Sequence, residues 1–169
     1  LMLIGLFGIL SSREIQAQLQ QVTDETVPMI EALDGLRAAG LRIVSSTNEM
    51  ALLQRLDVKD QGQQDGESLL ISAGMDSYDR ALKQYESLVM LFSPDNAVGV
   101  KAISDAGQQL QSMSNSFLNL VSNHSAVTDV LDAKEQFEQQ EQAYLKLITD
   151  ALEHENSLLT ERQTRVAAE

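Results

Sequence analysis

Two arginines five residues apart, Arg37 and Arg42, are the side chains with the clearest capacity for recognition in this sequence. A guanidinium is a planar fork that donates two parallel hydrogen bonds to a carboxylate. On a helix turning 100° per residue, positions five apart point about 140° from each other. One arginine can therefore face a groove within its own subunit while the other faces a second subunit. The alternative is a pair of solvated surface charges bridged to Asp34 or Glu49. A polar run follows: Ser45, Ser46, Thr47, Asn48 and Glu49. These are mediocre helix formers, and in mid-helix beside Arg42 they suit a wet pocket, a polar dimer seam, or packing against polar neighbours. Thr47 lies on the apolar stripe, where its hydroxyl can bond the preceding turn. Arg37, Arg42, Ser45, Ser46, Asn48 and Glu49 form the candidate ligand-binding set.

Other chemistry is thin. His124 and His154 fall on core lines too far apart to share a metal, and Ala151 stands where the di-iron Glu-x-x-His motif needs a glutamate. Glu135, Glu138 and Glu141 read as a solvated helix face. Tyr78, Tyr85 and Tyr144 sit on seams and read as core residues whose hydroxyls need partners. Asn123-His124-Ser125 matches the glycosylation sequon, a short pattern common by chance. Glycine-rich phosphate loops, nucleophile elbows and metal-binding runs are missing, so neither an enzyme nor a cofactor is expected. Cysteine is absent from the 169 residues, which excludes disulfides and thiolate metal sites. The net charge of −13 opposes binding to nucleic acid and flat adsorption on anionic lipid.

These side chains need helices to position them. Aromatics make up 4% of the chain and hydrophobic residues 43%, with much Leu, Ala, Gln, Glu and Ser, a helical rather than a sheet composition. Breaks are expected at Asp57–Gly66 (DVKDQGQQDG), at Ser93–Asn96 (SPDN) and, more weakly, at Ser125–Thr128, with Thr128 as an N-cap. Between them apolar positions alternate three and four apart. The first seam runs Ile15, Leu19, Val22, Thr26, Met29, Leu33, Leu36, Gly40, Ile43, Thr47 and Met50. The second runs from Ile71 through Tyr78 and Tyr85 to Phe92. The third includes Ile103, Ala106, Leu110, Phe117 and Leu120 and continues to His124. The fourth includes Phe137, Gln140, Tyr144, Leu147, Ala151, His154 and Leu158. Four such seams with short connections predict an all-α fold, an antiparallel up-down-up-down four-helix bundle.

The segment lengths are unequal. The first, from about Ser12 to Leu56, is roughly 65 Å long, and the second, from Glu67 to Phe92, only about 40 Å. Long first and fourth helices are therefore expected to project together beyond a shorter body, with Pro28 at the junction as a kink or a new helix start. Leu1–Leu10 reads LMLIGLFGIL, ten apolar residues where a bilayer crossing needs about 20. It reads as the end of a longer transmembrane helix (residues 1–10), leaving residues 11–169 as the bundle.

An apolar start running into a long first helix, two shorter helices and a long returning fourth helix resembles the four-helix-bundle ligand-binding domains of methyl-accepting chemotaxis receptors and sensor histidine kinases. The segment Pro28–Glu49, PMIEALDGLRAAGLRIVSSTNE, is similar to first helices of related sensors with kinase, chemoreceptor or cyclase outputs. The resemblance implies an extracytoplasmic sensor domain held at the inner membrane by flanking helices. It implies a homodimer and a small-molecule ligand or periplasmic binding protein as partner, with signal passing as a helix displacement. In the amino-acid and dicarboxylate receptors of that family, first-helix arginines bind the ligand carboxylate at the dimer interface. Arg37 and Arg42 have comparable spacing, but Ser46 stands where a third arginine would complete the pattern. A structural or adaptor bundle that binds a protein partner is the other reading.

Overall fold

Long stretches of Leu, Ala, Gln, Glu and Lys, with no β-branched run longer than two residues, favour helix over every alternative backbone state. The computed structural model describes residue 16 and residues 19–56 and 61–168, and these are helical almost throughout, with no strand among them. The helices are α1 (Val27–Arg55), α2 (Gln61–Phe92), α3 (Ala97–Ser122) and α4 (Val127–Ala168), of 29, 32, 26 and 42 residues. All four pack together. The apolar start Leu1–Leu10, read above as the end of a membrane helix, lies outside the described residues. Among the described residues no helix is long and apolar enough to cross a membrane.

The core is built by rings entering notches. Gly40 receives the Tyr144 ring and Gly107 the Tyr78 ring, each so closely that an added Cβ would overlap the aromatic atoms. The two rings lie 6.1 Å apart, tilted by 53°. Their hydroxyls are satisfied across helices. Tyr144 Oη donates to the Leu36 carbonyl at 2.6 Å, and Tyr78 Oη reaches the Ile103 and Ser104 carbonyls at 3.3 and 3.2 Å. Burial in this apolar layer pushes the Tyr78 hydroxyl up to about 12, with the charges of Asp79 and Asp105 adding to it, and pushes that of Tyr144 up as well. Both stay protonated donors at any physiological pH. Gly74 brings α2 within 2.9 Å of Ile43 Cγ1 for a notional Cβ, and Gly35 lies similarly against Ala81 at 3.3 Å. Phe117 and Phe137 stack 6.1 Å apart to extend the core toward the α3–α4 connection.

The first seam is buried as expected from Thr26 to Met50, and so are Ile71, Tyr78, Tyr85 and Val89 of the second. The later seams drift. On α3 the buried position is Val121, not Leu120, and on α4 Ile148, Leu152 and Glu155 replace Leu147, Ala151 and His154. An undistorted helix drifts about 20° per heptad relative to a strict seven-residue repeat, so over two or three heptads the line turns by about 40–60°, about half the 100° between successive residues and enough for the next residue to become the more buried one. His154 is accordingly exposed.

His124 is also exposed, in a different role. It has a left-handed φ of 52° and ends α3. Its N–H donates to Val121 O and the Ser125 N–H to Leu120 O, both at 3.1 Å. This is the paired capping arrangement that a residue in the left-handed region allows.

Of the expected break at Asp57–Gly66, residues 61–66 are helical, and residues 57–60 lie outside the described residues. Helix resumes at Gln61 and carries Gly62 and Gly66 inside it. A lone helical glycine costs only about 1 kcal/mol, which the neighbouring glutamines tolerate. The SPDN signal holds as a 3₁₀ turn, Pro94–Asn96. Thr128 is not the cap of α4, because helix begins one residue earlier and Val130 N–H bonds Ala126 O at 3.1 Å. Pro28 stands at the second position of α1, the helix-start option of the two expected for it, but helix and packing both continue before it. Five residues of π-helix, Val22–Thr26, precede α1, and Val27 N–H bonds Val22 O. A proline lacks an N–H and crowds the carbonyl four residues earlier, and a wider turn just before it relieves both problems.

Candidate functional site

The polar run on α1 divides between several surroundings. Arg37, Arg42, Ser45 and Glu49 are exposed, and neither arginine forms an ion pair among the described residues, so the bridges to Asp34 and Glu49 do not form. Ser46 is buried and Asn48 half-buried. Thr47 is fully buried; its hydroxyl bonds the Ile43 carbonyl at 2.6 Å, as expected, and meets Ser114 Oγ of α3 at 2.7 Å. Two hydroxyls thus satisfy each other in an otherwise apolar interior. Ser114 carried no signal in the sequence, since a single serine on a helix reads as surface until its partner across the bundle is known.

Asn48 connects this layer to a concavity. A groove of about 410 Å³ runs between the end of α1, the end of α3 and the start of α4. Phe117, Val121 and Val130 line it beside Ala51, and Leu52, Val127 and Leu131, each more than half exposed, border it. Asn48, Arg55 and Lys134 supply its polar groups. The Asn48 Oδ1 atom is buried with no hydrogen-bond partner. Lys134 pairs with Glu138 one turn on. Arg55 has no ion-pair partner among the described residues. Of the predicted binding set, only Asn48 reaches this groove.

A second polar centre lies where the π-helical segment meets α4. Glu25 is 6% exposed and Glu155 3% exposed, and Thr26 is fully buried. Arg162 of α4 donates from Nη2 to Glu25 Oε1 at 3.0 Å and from Nη1 to Thr26 Oγ1. Burial raises the affinity of Glu155 for a proton. His154 and Arg162 pull the other way, and Glu25 adds to the rise. Tyr85 of α2 faces the same region, its hydroxyl pushed up to about 12 by burial and then by the Glu155 charge. A second buried carboxylate, Glu155, therefore lies near the Glu25–Arg162 pair and feels both charges, while only Glu25 is bonded to the guanidinium. Glu25 reads as an ordinary polar residue in the sequence, one position off the seam; its burial follows from the wider π turn, which rotates it inward.

Glu138 and Glu141 are half-buried rather than on the solvated face expected of them. Glu141 holds its proton more tightly than usual, through burial and then the nearby Glu138 charge. Among the described residues no group of three histidine or carboxylate side chains is close enough to hold a metal ion. No family model matches the chain, and neither a curated protein nor a solved structure is detectably similar to it.

Proposed function

We propose that this chain is the extracytoplasmic sensor domain of a membrane-spanning signalling receptor, working as a side-by-side dimer. The observation that carries the reading is the buried Glu25–Arg162–Thr26 contact, which ties the first helical run to the last. Pairs along the chain support an up-down-up-down course: Leu36 with Tyr144 and Glu25 with Arg162 run in opposite senses, as do Ile43 with Gly74 and Gly35 with Ala81. On that course the start of the first described helical run and the end of the fourth lie toward one pole. The first and fourth helices are then the pair that enters the membrane. A displacement of about 1–2 Å between two such helices is enough to transmit a state across an interface. A ligand drives it only if its binding free energy differs between the two arrangements.

Arg42 supports the dimer, being a cation without an ion-pair partner among the described residues, on the exposed face of α1 in a chain of net charge −13. Arg42→Glu is expected to lower dimer formation or receptor output, measured by sedimentation and by the activity of the attached output module. Unchanged values for both remove that face from the interface. Location is tested separately. With no native cysteine, Ser122→Cys gives a single label site on an exposed position. A membrane-impermeant maleimide should label it in intact spheroplasts. Labelling only after lysis rules out the receptor assignment.

One observation favours an adaptor bundle as the second reading. Met90, Leu91 and Val98, close to the α2–α3 turn in sequence, are 61%, 71% and 82% exposed, apolar side chains that a protein partner would cover. Under that reading Leu91→Asp abolishes capture of a specific partner, and no small molecule raises the melting temperature.

A further inference from the structure

We infer that the groove between the ends of α1 and α3 and the start of α4 is a binding site for a small aliphatic monocarboxylate. Its walls are aliphatic side chains, from Ala51, Leu52, Val121, Val127, Val130 and Leu131. The one aromatic residue in the lining, Phe117, is 4% exposed and already stacked on Phe137, so the groove offers no free ring face for an aromatic ligand. A soluble surface seldom gathers Leu52, Val127 and Leu131 around one concavity without an apolar occupant.

The polar groups select the charge of that occupant. The chain is strongly acidic, yet the groove carries two cations, Arg55 and Lys134. Lys134 is neutralised by Glu138, which leaves Arg55 as the cation without an ion-pair partner among the described residues. A planar guanidinium at the rim of an apolar channel suits one carboxylate, held by two parallel hydrogen bonds while the aliphatic body lies inside. Asn48 lies on the same wall, and its Oδ1 makes no hydrogen bond. No hydrogen bond to that oxygen is lost if the amide turns, and its N–H is the donor it would offer the carboxylate. The groove between α2 and α3 lacks this pattern, because its Lys101 is held by Asp105 at 2.6 Å and Glu86 adds a further negative charge. A volume of about 410 Å³ accommodates a chain of a few carbons rather than a long-chain fatty acid.

The inference deepens the sensor reading and takes its biological meaning from it, but binding is measured on the chain without reference to output. Hexanoate is titrated into the whole chain and followed by calorimetry and by nuclear magnetic resonance of the Asn48 side-chain amide. Hexanol and hexylamine serve as the neutral and cationic probes. Saturable hexanoate binding is expected, at least tenfold tighter than either control, with shifts at Asn48 and across Val127–Lys134. Arg55→Gln should weaken it at least tenfold, and Leu131→Asp should abolish it. Both side chains are exposed, so unchanged melting temperatures verify that the variants fold. Equal binding of hexanol or hexylamine overturns the proposal, as does full affinity in Arg55→Gln or shifts confined to another surface. Preference for phenylacetate overturns the aliphatic assignment. Dimers that Leu131→Asp dissociates, with no hexanoate effect, assign the groove to a second copy instead. Failure of binding leaves the spheroplast labelling result standing, so the two readings fail separately.

Discussion

At the scale of single residues, small side chains and buried charges decide more than the recognisable arginines. Gly40 is a notch for Tyr144, and a methyl group there collides with the ring. Gly40→Ala gains about 1 kcal/mol of helix propensity but over-packs the core by an amount that commonly reaches about 3 kcal/mol. A lower melting temperature is therefore expected, whereas Gly66→Ala, which meets nothing within 4 Å, should raise it. Glu155 behaves in the opposite sense to a salt-bridged carboxylate. Its proton affinity is raised in the fold, so the folded state holds more protons than the unfolded one between the two pKa values. Stability from that proton is complete below the ordinary glutamate range and falls as pH rises through the raised value. Glu155→Gln should thus stabilise the protein by about 1 kcal/mol at neutral pH. Its advantage over the parent should vanish toward pH 4, and a pH series of denaturant melts of both proteins measures the difference.

At the scale of elements, the helix ends carry the testable chemistry. His124 closes α3 in the left-handed region, a conformation that costs a side chain with a Cβ about 1 kcal/mol relative to glycine. His124→Gly is expected to raise stability by about that amount without altering the fold, read as a shifted urea midpoint at constant slope. An unchanged midpoint would mean that the imidazole makes a compensating contact. The α2–α3 turn was legible because Pro94 cannot continue a helix. The Asp57–Gly66 stretch misled because glutamine and glycine composition alone does not separate a loop from a poorly stabilised helix. What extends the helix back to Gln61 is its continuation into the packed length of α2. Pro28 had the reverse problem: its incompatibility with an ideal α-helix was plain, but the π-helical accommodation depends on what the widened turn finds to pack against.

At the scale of the whole molecule, a buried ion pair joins the first and last helical runs in addition to the Tyr144 contacts with Leu36 and Gly40. Removing the Arg162 side chain leaves Glu25 buried beside Glu155 with no cation between them, and Arg162→Ala should cost about 3 kcal/mol. Converting both Glu25 and Arg162 to methionine should recover most of that stability, since paired buried charges are often no better than apolar packing of the same volume. In a receptor the double variant separates two roles. If the contact only stabilises, output responds as in the parent; if it sets the relative position of the two helices, output is locked or lost while the melting temperature is restored.

The all-helical class, the number of helices and the first buried seam were determined by residue type and spacing alone, because an apolar stripe at helical period has no other way to leave water. The tyrosines were legible as core residues for the same reason. Which α4 positions face inward was not, since a slip of one residue accumulates over several turns and only packing against real neighbours resolves it. The pairings that make the interior polar centres, Thr47 with Ser114 and Arg162 with Glu25, join residues 67 and 137 positions apart. The groove likewise gathers residues from three helix ends. Neither local propensity nor periodicity encodes such distant meetings, because they depend on how far each helix extends and how it is turned about its axis when the four close on one another.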